Sequence, residues 1–208
     1  MDFLFDGVKE FSKTDFEKNR DLFSRLSNQQ KPHTLFISCS DSRIVPNLLT
    51  KTNPGEIFVV RNVANIVPPY RVSSEYLSTT SAIEYAVQVL DVDNIIICGH
   101  SNCGGCKALF LEDKDFENIP HTGRWLSLAR SAKMKAKELA GQEKNNVEIE
   151  WLVEQENIVE QMNHLVTYPF IKERYKAGAI NIFGWYYEIG TGSVYNYHPE
   201  EKRFILIE

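Results

Sequence analysis

Metal-binding side chains stand at two points of the 208-residue chain where an apolar run stops. The first run, Leu35-Phe-Ile-Ser, ends in Cys39-Ser-Asp41-Ser-Arg43, a thiol, a carboxylate and a guanidinium each two residues from the last. The second run, Asn94-Ile-Ile-Ile-Cys98, ends in Gly99-His100-Ser-Asn-Cys103-Gly104-Gly105, with a His and a Cys three apart. One Cys from the first stop and the His–Cys pair from the second make a three-ligand zinc site with one position open. A structural zinc site has four protein ligands, commonly in close pairs, so this set points to catalysis. Mixed thiolate and imidazole donors suit zinc. A helix is expected to begin at Cys103, which favours its thiolate. Asp41 has two possible roles: a fourth ligand, or an acceptor for the hydrogen bond of a metal-bound water. Arg43 in bidentate contact would hold it in the second role.

Cys103-Gly-Gly-Cys106 also has the spacing of a thiol redox pair. That reading leaves Cys39 and His100 without a role. Cys98 and Cys106 read as small buried hydrophobes.

The elements that bring these groups together follow from the hydrophobic pattern. His33–Ser38 and Glu56–Asn62 are expected strands, followed by a helix over about 74–90. Ile95–Cys98 is a third strand whose β-branched run suits a parallel sheet buried on both faces. A helix is expected from Cys103 past Phe110. Two longer ones follow, at about 123–140 (burying Trp125, Leu128, Ala129, Ala132 and Leu139) and 147–166 (burying Trp151, Ile158, Met162 and Leu165), linked through Gly141–Lys144. Ile180–Tyr187 is a fourth strand, and Gly190-Thr-Gly192 turns it into an antiparallel edge strand, Val194–Tyr197. Thr14-Asp-Phe-Glu17 has the pattern of a capping box opening a helix to about Ser27, with Phe16, Phe23 and Leu26 inward. The segment around Val8–Phe11 suits a short helix. The expected class is therefore α/β: a mainly parallel central sheet, about four parallel strands plus an antiparallel edge strand, covered by helices. Residues 1–208 read as a single domain, with residues 1–28 an N-terminal helical arm. In such sheets ligands bind beyond the carboxyl ends of the strands, where both metal-binding stops fall.

Composition narrows the function classes. Hydrophobic residues make up 43% and charged residues 25% of the chain, as in globular proteins. A formal net charge of -5 argues against nucleic acid as a partner. No apolar run approaches the ~18 residues of a membrane span. The acidic start, Met1-Asp-Phe-Leu-Phe-Asp6, lacks the basic and apolar regions of a secretory signal, so a cytoplasmic location is expected. The four cysteines then suit free thiols or metal ligands rather than disulfides.

These residues carry a resemblance. Cys39-Ser-Asp41-Ser-Arg43 followed by Gly99-His100-Ser-x-Cys103-Gly104-Gly105 resembles the signature of the β-class carbonic anhydrases. Pro54-Gly55-Glu-x-Phe58-x-x-Arg61-Asn62-x-Ala64-Asn65, Ser81-Ala-Ile-Glu-Tyr85-Ala and Gly184-Trp185-x-Tyr187 resemble further blocks of that family. The likeness spans about residues 30–195. It implies one zinc per chain, held by Cys39, His100 and Cys103, and the reaction CO2 + H2O ⇌ HCO3⁻ + H⁺. It implies that Asp41 accepts the hydrogen bond of the attacking hydroxide, and that Arg43 holds Asp41 off the metal. Phe58, Val63 and Tyr85 match the cleft wall, and Gln30 matches an amide donor that reaches substrate across the family's dimer interface. A homodimer or a dimer of dimers is thus expected. Arg61 and Tyr187 match two members of an inhibitory bicarbonate pocket found in one subclass. Phe36 stands where that pocket has a Trp, so the open subclass is expected. A CS2 or COS hydrolase on the same scaffold, and a thiol redox or metal-sensing protein without hydration activity, are the alternatives.

Overall fold

Leu35 and Ile37 face one side of a strand and Phe36 the other, and all three are fully buried. This strand, β1 (Thr34–Cys39), can only lie inside a sheet covered on both faces. The computed structural model describes residues 1–75, 77–141 and 146–208. Among them, six strands form one sheet in the order β2-β1-β3-β4-β5-β6. β2 (Ile57–Asn62), β1, β3 (Asn94–His100) and β4 (Asn181–Glu188) are parallel. β5 (Ser193–His198) and β6 (Arg203–Leu206) continue the sheet antiparallel. The sequence reading has one antiparallel edge strand. The structure adds β6, whose four residues are too few to show a clear period.

The chain leaves β1 towards β2 on one side and returns to β3 on the other. The order therefore reverses between β1 and β3, opening a crevice at their carboxyl ends. Register places Ser38 beside Cys98, so the β1 stop at Cys39 and the β3 stop at His100 lie at this reversal.

Helices on one face close the main core. α5 (Ser78–Gln88) contributes Ile83, Ala86 and Val87 against Leu35, Ile37, Ile95 and Ile97. α9 (Asn146–Leu165) crosses β3 and β4. Its Ile158 lies so close that a Cβ on Gly99 or on Gly184 would come within 2.8 Å of it. Both strands need glycine there. α10 (Pro169–Lys176) follows, with Ile171 buried. Between β1 and β2 lies α4 (Pro46–Thr50).

Several helix expectations need correction. α6 (Gly104–Ala108) stops before Phe110, because i to i+3 bonds from Leu109 and Phe110 tighten its end. The helix expected over 123–140 is two helices, α7 (Pro120–Leu126) and α8 (Arg130–Ala140), joined by a 3-10 turn. Leu139 and Trp151 are about half exposed, not buried. α8 instead turns inward a stripe of small residues, Ala132, Ala136 and Ala140, that meets α9. α5 is shorter than expected at both ends. Of the segment joining α8 to α9, residues 142–145, which include most of the expected Gly141–Lys144 link, lie outside the described residues.

Residues 1–31 form a compact unit of their own and residues 32–208 another. The first holds α1 (Asp2–Lys13), α2 (Asp15–Lys18) and α3 (Arg20–Leu26). The expected helix to Ser27 is interrupted at Asn19, and α1 is longer than the short helix expected around Val8–Phe11. The Thr14 hydroxyl donates back to the Glu10 carbonyl (2.8 Å) and so closes α1 instead of opening a capping box. Phe11, Phe16 and Phe23 cluster, with ring centroids 5.4–6.4 Å apart.

Candidate active site

The end of β1 delivers the Cys39 thiol into the crevice, and the turn after β3 delivers His100 and Cys103. All three are buried. The two sulfurs lie 4.0 Å apart, and the three donor atoms lie within 4.8 Å of one another. A tetrahedral zinc with these ligands needs donor separations of roughly 3.5–3.8 Å, so the sulfurs need close by only a few tenths of an ångström and no donor pair by more than about 1.3 Å. The imidazole is already oriented. His100 Nδ1 donates to the Ser101 carbonyl (3.0 Å), which leaves Nε2 as the ring nitrogen aimed inward at the two sulfurs. Nε2 is buried and has no hydrogen-bond partner among the described residues. A buried acceptor without a donor is costly unless it binds something, and a cation between two thiolates satisfies it.

The thiols carry the same message. The neighbouring Cys103 sulfur and burial push the Cys39 thiol up to about 12. Cys103 is raised as well, chiefly by the adjacent Cys106 and by burial. α6, which Cys103 caps, is only five residues long, so the helix contribution expected at its thiolate is small. A divalent cation is what ionises these thiols.

Asp41 stands at the mouth of the cluster, its Oδ2 3.9 Å from His100 Nε2. Arg43 holds it: Nε donates to Oδ1 (2.9 Å), Nη2 to Oδ2 (2.7 Å) and the Arg43 main-chain N to Oδ1 (3.0 Å). The guanidinium keeps the carboxyl well below the usual carboxylate range. Arg43 Nη2 also donates to the Asn102 carbonyl (3.1 Å), tying the two turns together. Arg61 donates to the carbonyls of Cys39 (3.2 Å) and Asp41 (2.6 Å). Phe36, fully buried, meets Trp185 edge-on at 6.0 Å. Phe58 and Tyr85 lie 6.0 Å apart, centroid to centroid. Val63 lines a cleft of about 510 Å³ with Arg61 and Trp125. Val63 and Tyr85 are 40% and 44% exposed, so this wall stands open in the single chain. Gln30, in the first unit, is exposed.

Residues 34–194 match the family model described as carbonic anhydrase. A carbonic anhydrase of Helicobacter pylori strain J99 is 41% identical over 206 residues, covering 98% of this chain and 93% of its own. The chain belongs to the β-carbonic anhydrase family. A carbonic anhydrase of Synechococcus elongatus is 37% identical, covering 92% of this chain and 69% of its own. The solved β-carbonic anhydrase CcaA superposes with a TM-score of 0.91 at 35% identity, covering 100% of this chain and 92% of that one. A tetrameric β-carbonic anhydrase of Sordaria macrospora gives 0.81 at 28% identity, covering 93% and 94%. Membership in the β-carbonic anhydrases carries the reversible hydration of CO2 and the zinc requirement. The CS2 or COS hydrolase and the thiol redox readings have no support among these relatives.

Sequence reasoning missed what holds the β-carbonic anhydrase site from beneath. Glu154, Asn157 and Gln161 are buried along one stripe of α9. Asn157 Nδ2 donates to the Ala64 carbonyl (2.9 Å) and Gln161 Oε1 accepts from Val67 N (2.8 Å). Glu154 Oε1 accepts from Cys103 N (2.8 Å) and Oε2 from the Tyr186 hydroxyl (2.9 Å). Burial pushes the Glu154 carboxyl up to about 7, against the pull of these two donors. The signal was present as three polar residues at i, i+3 and i+7, on the helix face that also carries Ile158 and Leu165. Trp125, expected only as a core residue, donates its Nε1–H to the Val63 carbonyl (2.8 Å).

Proposed function

We propose that Cys39, His100 and Cys103 hold one zinc ion, and that Asp41 and Arg43 orient the attack on CO2 beside it. The observation that carries this is the orphaned, inward-aimed His100 Nε2 between two buried thiols. Zinc, when bound, lowers the pKa of a water toward ~7 and so supplies hydroxide at neutral pH. Asp41 Oδ2 accepts a hydrogen bond from the nucleophile, which turns an oxygen lone pair toward the carbon of CO2. Arg43 keeps the carboxylate ionised and fixed for that task. Phe58, Val63 and Tyr85 form the apolar wall against which CO2, uncharged and a poor hydrogen bonder, displaces water. Gln30 of a second copy donates its amide to a substrate oxygen. The open wall and that donor both call for a homodimer or a dimer of dimers, and the tetrameric Sordaria macrospora enzyme supports such an assembly. The chain works as one domain with residues 1–28 as an arm serving that assembly, in the cytoplasm. No helix among the described residues is long and apolar enough to cross a membrane.

Stopped-flow CO2 hydration by wild type and Cys39→Ser, with zinc analysis, tests the reading. About one zinc per wild-type chain and a near-total loss of activity in the variant are expected. Equal activity in the two ends it.

A further inference from the structure

We propose that Glu154 is a positioning residue for the metal centre: its buried carboxylate, anchored by Tyr186, fixes the Cys103 main chain and so the direction of the Cys103 thiolate. The proposal rests on the zinc reading above and adds a second layer to it. Glu154 is 5% exposed and reaches Cys103 from 51 residues further along the chain. Both its oxygens are used, one on the Cys103 N–H and one on the Tyr186 hydroxyl.

The geometry explains why such a group is needed. Cys103 is the N-cap of α6, so its N–H has no partner within the helix. The preceding residue, Asn102, is in the left-handed region (φ 54), so the turn reverses sharply just before the ligand. Without an acceptor the buried Cys103 N–H is unsatisfied and the turn is free to rotate. A carboxylate is an expensive group to bury for packing alone, whereas here it also gives the ligand turn a fixed point. The fixed point is rigid because Tyr186 sits on β4 and Glu154 on α9, the two elements locked together at Gly184 and Ile158. Groups that orient a metal ligand typically contribute 10–100-fold to metal affinity.

The test uses the zinc-loaded full chain and follows transfer of zinc to a chromogenic chelator. Glu154→Leu is expected to release zinc at least ~10-fold faster than wild type, and Glu154→Gln, which keeps an acceptor for the Cys103 N–H, within ~3-fold of it. Release from Glu154→Leu at the wild-type rate overturns the proposal, and so does equal acceleration in both variants. If Glu154→Leu does not fold, Glu154→Asp decides. One methylene shorter, it cannot span Cys103 and Tyr186 together and should release zinc several-fold faster, whereas the wild-type rate overturns the proposal. Failure of wild type itself to hold zinc would instead overturn the metal reading, which separates the two.

Discussion

The end of β1 with its turn and the turn that follows β3 each present a thiol of the proposed zinc site, yet they are held in opposite ways. The first is braced from the solvent side, with Arg43 on the Asp41 side chain and Arg61 on the carbonyls of Cys39 and Asp41. Arg43 is 45% exposed at its side chain. Beyond the Arg43 contact to the Asn102 carbonyl, the second is braced from inside the protein, by the Glu154–Tyr186 pair under Cys103 and by Ser101, whose hydroxyl accepts from Ile189 N (3.0 Å). Exposed braces are adjustable by pH and salt, and interior ones are set once, by packing. The reacting side of the site thus uses the adjustable braces, while the anchoring side is fixed.

The largest effects should ignore the contrast. Cys39→Ser and Cys103→Ser each remove a ligand, and both should lose zinc and at least ~100-fold in CO2 hydration, a greater loss than second-layer changes produce. Next is Arg43→Ala, which should lower activity by ~10–100-fold because Asp41 is freed to turn onto the metal, most strongly at low pH. A variant structure with Asp41 off the metal at every pH would break that half of the comparison. The ion pair has a pH signature too. Arg43 holds the folded Asp41 below its unfolded pKa, so the pair stabilises the fold above about pH 4 and loses that contribution as pH falls further. The stability gap between wild type and Arg43→Ala, read by urea melts, should therefore be constant near neutrality and shrink in acid.

Tyr186→Phe probes the interior brace. Loss of one buried hydrogen bond to a carboxylate should cost about 1–3 kcal/mol, visible as an earlier denaturation midpoint with unchanged slope. The smallest effect is expected from Arg61→Ala, about 1 kcal/mol or less, because the side chain is exposed and water can replace it. If Arg61→Ala proves the costlier of the two in the same melts, the inside–outside distinction fails.

The parallel sheet was legible because β-branched runs ending in glycine turns have few alternatives, and the clustering of Cys39, His100 and Cys103 because thiols and an imidazole sat at those ends. Asp41 and Arg43 were legible from their spacing to Cys39. Glu154 was not, because its partner at Cys103 is a main-chain N–H, which leaves no mark in a sequence, and Tyr186 was not, because its hydroxyl serves the site only through Glu154. The same holds for Arg61, whose acceptors are carbonyls, and for Trp125. The break at Asn19 and the division at residues 127–129 escaped detection because short-range backbone bonding, not periodicity, decides them. The exposure of Leu139 shows alanines taking the inward positions on α8, a choice that hydrophobic counting does not anticipate.

The close approach of Ile158 to Gly99 and Gly184 couples three positions that lie far apart in the chain. A methyl added on either strand needs carbon removed from the helix, so neutral drift here must proceed in compensated pairs. Gly184→Ala alone should be disruptive, because its methyl would come within 2.8 Å of Ile158 Cγ2 and 2.5 Å of Met162 Sδ, and Ile158→Ala, which removes the Cγ2 contact, should restore it only in part. A chimera that takes β4 from one homologue and α9 from another inherits the mismatch unless both halves of the contact travel together.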